Sequence, residues 1–176
     1  MKLYKKAGEV IGVPILESAT VTVGDRMKVA NDGAGAGGSD AADAVTDLEI
    51  GICEGITTPT GTPVDVASSN DYDGTVTNSG ETLTYVASAD NTTDKKIEAQ
   101  IRCFAPIYDV EADATLGTTT GSDITGYYID VLTTDSTKVD ESSASTSVQN
   151  YLILSTNPAK PTTNLLVIPV MTQDKQ

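Results

Sequence analysis

Apolar residues recur at every second position in short runs along residues 21–56: Val21 and Val23, Met27 and Val29, then Leu48, Ile50 and Ile52. A period of two puts successive side chains on opposite faces of an extended chain, so these runs read as strands with one face buried. No stretch keeps the 3.6-residue period that the core face of a helix requires. Val, Ile, Thr and Tyr fill the periodic segments, and clusters of Gly, Pro, Asn, Asp and Ser separate them. The pattern predicts an all-β protein, a small β-barrel or β-sandwich with long Thr/Ser/Gly-rich loops.

The individual runs give a strand plan. Residues 10–16, broken by Gly12 and Pro14, suit an edge or bent strand. Gly24-Asp25 reads as a tight turn or bulge. The GAGAGG run at 33–38 has no side chain to place in a core and reads as a loop, after which Ser39-Asp40 is expected to cap a short helical turn over 41–45. In 48–56, Leu48, Ile50 and Ile52 share one face; Gly51, Cys53 and Gly55 share the other, where their small size admits another layer. Residues 57–80 read as a long loop or a weak hairpin around 75–77, and 82–87 as a short strand. Residues 96–108 form the expected central strand, ended or bent at Pro106. Residues 109–125 read as loop. Strands are expected at 126–132, 150–155 and 164–171, the last buried on both faces, with 133–147 an exposed hairpin tip.

The order strand, polar gap, strand, strand occurs before Pro106 and again after it, which suggests a weak internal duplication. The expected organisation is an N-terminal β-domain over 1–108 and a C-terminal β-segment over 109–176, packed as one unit.

Chemistry is limited first by what is missing. The chain has no His, which removes imidazole as base, acid or metal ligand. Cys53 and Cys103 are the only cysteines, too few for a zinc site; they read as reduced core thiols or as one bridge between neighbouring strands. Acids outnumber bases 25 to 11, a net charge of −14, which opposes nucleic acid and anionic membrane surfaces. The N-terminal segment has early lysines, but its apolar patch holds Pro14 and follows Glu9, so it is a poor export signal. Residues 70–74 (NDYDG) resemble the start of a calcium loop, yet Ser69 and Gly80 occupy its first and twelfth positions, so a plain turn is expected. Glu111, Asp113, Asp123 and Asp130 are the carboxylates that a glycosidase-type pair would draw on, although nothing in their spacing pairs them. No catalytic, cofactor or metal site is therefore expected. Lys2, Lys5 and Lys6 gather over a quarter of the basic residues at one end of an acidic chain. They read either as lysines guarding a strand edge or as an arm that docks on an acidic neighbour, which makes them the candidate assembly contacts.

Residues 21–29 (VTVGDRMKV) followed by 48–56 (LEIGICEGI) resemble the head-decoration, or cement, proteins of tailed bacteriophages, which carry G-D-x-hydrophobic-x-V, a polar gap and a second apolar strand with an internal Gly. Residues 96–113 and 165–171 are similar to the second half of such proteins. The resemblance implies a virion structural protein without an active site, β-rich and trimeric. It would be assembled in the host cytoplasm and sit on the outer capsid surface, with the major capsid protein as partner. The chain's length and its Gly33–Gly38 run depart from the smallest members, which leaves a tail-tube or fibre domain as an alternative; an extracellular adhesion or binding β-domain is an alternative of a different class.

Overall fold

The structure is a computed structural model and describes residues 1–31, 37–44, 47–66, 74–80, 82–89, 97–116, 124–147 and 149–170. The described residues form strands and no helix. In the first part of the chain these are β1 (Lys2–Lys5), β2 (Val10–Pro14), β3 (Thr20–Thr22), β4 (Arg26–Asn31), β5 (Gly37–Ala41), β6 (Gly51–Thr57), β7 (Gly74–Ser79), β8 (Thr82–Ala87) and β9 (Glu98–Cys103). The remainder are β10 (Ile107–Ala112), β11 (Tyr128–Val131), β12 (Lys138–Ser145), β13 (Tyr151–Thr156) and β14 (Asn164–Pro169). The all-β expectation holds.

The later strands close into a five-stranded barrel, β10-β12-β11-β13-β14, because β10 pairs with β12 on one side and with β14 on the other. Only the β10–β12 pairing is parallel. Val110, Ala112, Leu116, Ile129, Val139, Ile153, Leu165 and Val167 fill its interior. The earlier strands form a second five-stranded sheet, β2-β9-β6-β4-β5, whose ends meet at a parallel bridge between Ile15 and Ser39. Leu16 N donates to Ser39 O at 2.8 Å across this seam, and the buried Ser39 hydroxyl reaches the carbonyls of Pro14 and Val13 at 3.1 and 3.2 Å. A side chain at Gly38 would lie 2.6 Å from Leu16 N and 2.7 Å from Pro14 O, so only glycine lets the seam close.

The two barrels are one topology built twice. Strands β2, β4, β5, β6 and β9 correspond in order to β10, β11, β12, β13 and β14, with the same partners and the same single parallel seam. The registers agree at corresponding positions, Ile11, Met27, Ser39, Cys53 and Ile101 matching Tyr108, Ile129, Val139, Ile153 and Val167, except that β11–β12 carries an irregularity between Tyr128 and Asp130 that β4–β5 lacks. Even the β-bulge recurs, after Cys53 in β6 and after Ile153 in β13. The suggested duplication is therefore present in the fold. The first barrel carries an addition that the described part of the second lacks: the β7–β8 hairpin, which joins β3 in a three-stranded sheet and buries Tyr85.

The barrels pack through an apolar contact. Leu152, Leu154, Leu166 and Ile168 point out of the second barrel and belong to the same buried cluster as Val13, Met27 and Ile101 of the first. β14 is consequently buried on both faces, as expected for 164–171 over its described part. At the same contact Asn31 Nδ2 donates to Thr125 O at 2.9 Å. Strand β1 leaves the first barrel to pair with β10 of the second, Leu3 lying opposite Tyr108. The change of barrel falls at 104–106 around Pro106, and the expected division at 108/109 lies inside β10.

Several local expectations are corrected. Ser39 and Asp40 sit in β5, not at a helix cap, because their backbone groups are taken by β4. The end of the expected helical turn, residue 45, lies outside the described residues, as do 32–36 and 67–73, which hold most of the Gly/Ala run and of the NDYDG segment. In β6 the faces are reversed: Gly51, Cys53 and Ile56 turn inward and Ile52 outward, since the bulge lets both Cys53 and Ile56 face the core. Residues 96–108 are two strands in different barrels, not one. β10 extends into the expected loop at 109–125, and β12 occupies most of the expected tip at 133–147. The polar side chains of β12 hide its strand character because only Val139 in it is fully buried, while its backbone pairs on both sides. The hairpin expected near 75–77 is present as β7–β8, and the strand at 82–87 coincides with β8.

Candidate functional site

The candidate assembly lysines lie at the N-terminal edge. β1 is paired on one side only, with β10, and its register slips between Leu3 and Lys5. Lys2 faces Asp109 in that register and is exposed, Lys6 is exposed in the link to β2, and Lys5 is half-buried. None of the three makes an ion pair among the described residues. The edge also carries an apolar component that charge counting missed: Met1, Leu3 and Tyr4 are all exposed. The N-terminal ammonium anchors the strand by donating to Thr137 O at 3.3 Å, just before β12.

Beside this edge runs a cleft of about 460 Å³ between the barrels, lined by Tyr4, Lys5, Pro59, Thr60, Glu98 and Gln100 among others. Partial burial raises the Glu98 carboxyl above the usual glutamate value, against the Gln100 amide that favours its charged form. Gly12 also lines the cleft, and a Cβ there would collide with the Glu98 carboxylate as it is placed.

Of the four carboxylates singled out in the sequence, the three among the described residues have separate partners. Glu111 pairs with Lys138 at 2.8 Å, and Asp130 accepts from Asn150 Nδ2 at 2.7 Å. Asp123 lies outside the described residues. Asp113 instead meets Asp140 and Glu141, with carboxylate oxygens all within 4.8 Å of one another. The parallel β10–β12 seam makes this cluster, Asp113 N donating to Val139 O at 3.0 Å and Glu141 N to Asp113 Oδ1 at 3.3 Å. The hydrogen bond between the two side chains lowers the Asp113 value and raises that of Glu141, so the pair holds one proton more readily than two separate carboxylates would. A run of Asp140-Glu141 in a Ser/Thr-rich segment was the available signal, but only the parallel pairing brings Asp113 to it.

Lys28 sits amid Asp43, Asp47 and Asp40 at 2.8, 3.1 and 3.8 Å. Although burial pulls the Lys28 ammonium down, the carboxylates of Asp43 and Asp47 hold it above the usual lysine value. Both cysteines are free and buried, Cys53 facing Ile101 and Cys103 facing Gly51 across β6 and β9. Burial pushes each thiol up to about 11, so neither is a thiolate at neutral pH.

Comparison with protein-family models, with curated proteins and with solved structures gives no match. No helix among the described residues is long and apolar enough to cross a membrane. The geometry thus offers an open strand edge bearing lysines and apolar side chains, a cleft with one half-buried carboxylate, and an acidic cluster in which Asp113 is exposed and Asp140 and Glu141 are half-buried.

Proposed function

We propose that this chain is a structural virion protein that binds the outer surface of a tailed-phage capsid and stabilises the shell, and that it is not an enzyme. The observation that carries this reading is the β1 edge: exposed Met1, Leu3 and Tyr4 beside Lys2, Lys5 and Lys6, which have no ion pair among the described residues of a chain with net charge −14. Such an edge suits attachment to an acidic protein surface, because burying the apolar side chains supplies affinity and the lysines supply charge complementarity. The major capsid protein is the partner in this reading, and oligomers of the chain, trimers by resemblance, sit at many equivalent positions. Binding there stabilises the shell by mass action, since the decorated lattice holds ligand that the broken lattice does not. The acidic surface faces solvent outside the shell and stays clear of packaged DNA.

The test compares capsids with and without the chain. Bound protein in hundreds of copies per particle, with a higher temperature of capsid rupture, supports the reading. Rupture unchanged on adding the protein, or a handful of copies per particle, overturns it. Replacing Lys2, Lys5 and Lys6 by Glu is expected to abolish retention on capsids at moderate salt.

A further inference from the structure

The duplicated topology exposes a face that is already an interface in its other copy. In the second barrel the outer surface of β13 and β14, formed by Leu152, Leu154, Leu166 and Ile168, is buried against the first barrel. The bulge and register place Ile52, Glu54, Gln100 and Arg102 at the same positions on β6 and β9 of the first barrel. Gln100 lines the cleft toward the second barrel, but the rest of this surface is open: Ile52 is 38% exposed, and Phe104, two residues beyond Arg102, is 48% exposed.

The composition of this face sets it apart from the rest of the chain. Arg26 and Arg102 are the only arginines and Phe104 the only phenylalanine, and all three lie here. Arg102, Ile52 and Arg26 are direct cross-strand neighbours over β9, β6 and β4. Arg102 pairs with Glu54 through two nitrogens, and Arg26 Nε with Glu49 Oε2 at 3.2 Å, so the patch is charge-balanced. Exposed arginine and aromatic side chains around an aliphatic centre are what protein interfaces use as anchors. Arg102 also donates from Nη1 to Gly8 O, and the Arg102 and Arg26 side chains remain 51% and 64% exposed.

We infer that the outer face of β6 and β9 is a docking face for a second copy of this chain. The equivalent face already binds a barrel of this same topology within one chain, which points to a barrel of a second chain as occupant. Charge is consistent with this occupant: copies of net charge −14 repel over most of their surface, whereas here Glu54 and Glu49 already neutralise the two arginines, so two copies can meet without added repulsion. The inference deepens the oligomeric part of the proposed function and does not involve the capsid.

The experiment measures the molar mass of the purified full chain by light scattering across a dilution series, for wild type and for Ile52→Asp/Phe104→Asp. Both positions are exposed, and an unchanged far-ultraviolet spectrum and melting temperature confirm that the variant folds. Phe104→Ser alone serves as a milder second variant. Expected are a wild-type oligomer, a monomeric double variant, and at least a tenfold rise in the dissociation constant for Phe104→Ser, roughly the cost of losing an interface anchor. A wild type that stays monomeric at every concentration, or an oligomer that neither variant weakens, overturns the inference. Capsid retention is read separately: loss of self-association with capsid binding intact leaves the virion reading standing, and the reverse removes that reading alone.

Discussion

Glu54 and Leu154 are the same residue of the fold, each the extra residue of the bulge where β6 meets β9 and where β13 meets β14. Leu154 is fully buried between the barrels, whereas Glu54 lies on an open face and pairs with Arg102. One backbone position thus serves a core in one barrel and a surface in the other.

Leu154→Ala is expected to destabilise the chain by about 2–5 kcal/mol, because it empties space in a packed contact. Glu54→Ala removes one side of an exposed ion pair and is expected to cost no more than about 1 kcal/mol. Urea denaturation of the two variants checks the contrast.

Gly126→Ala should also loosen the contact between barrels. Gly126 has φ of +83°, and a Cβ there would run into the Ala30 carbonyl group. Gly8 has a similar φ of +85° but nothing within 4 Å of its Cβ position. Gly8→Ala is therefore expected to cost about 1–2 kcal/mol from backbone strain alone, and Gly126→Ala clearly more. Thermal melts of both variants decide it.

The thiols of Cys53 and Cys103, pushed up to about 11 by burial, are expected to be inert to a thiol reagent in the native protein near neutral pH. In strong denaturant two thiols per chain should react at once. Fast labelling of the native protein, or fewer than two thiols after unfolding, would contradict the buried, reduced assignment.

Glu98 makes a pH prediction. Its folded-state value is raised by burial above the ordinary 4.5, so the folded chain binds this proton more readily than the unfolded chain. The stability that follows is fully present below the ordinary value and is lost as pH rises through the folded value. Glu98→Gln removes the titration. Relative to wild type it should gain stability between about pH 4 and pH 7, as followed by denaturant midpoints at each pH. A difference that stays constant over that range would show that Glu98 does not titrate abnormally.

Much of the strand content was legible because alternation is a local signal. Met27 and Val29 with their turn at Gly24-Asp25, the β8 strand and the doubly buried β14 all follow from neighbours in sequence. Ile52 misled because the alternation breaks where β6 begins, Ile50 and Gly51 both being buried, and again at the bulge beyond Cys53, which the partner strand sets. β12 was hidden because its strand state comes from backbone pairing on two sides, to which its Ser, Asp and Glu side chains add little. The Asp113, Asp140 and Glu141 cluster was invisible for the same reason, since a parallel seam between distant segments creates it.

By itself, then, the sequence determined an all-β chain, acidic, without imidazole chemistry, and with its lysines gathered at one end. Those properties depend on composition and on side-chain period, which act over a few residues. Only the tertiary structure decided that the strands form two barrels of one topology, that Gly38 closes the first, and that one outer face of the repeat is buried while its twin carries both arginines and stays open. Ring closure and burial join residues far apart in the chain, and no local pattern encodes which of two equivalent faces another surface will cover.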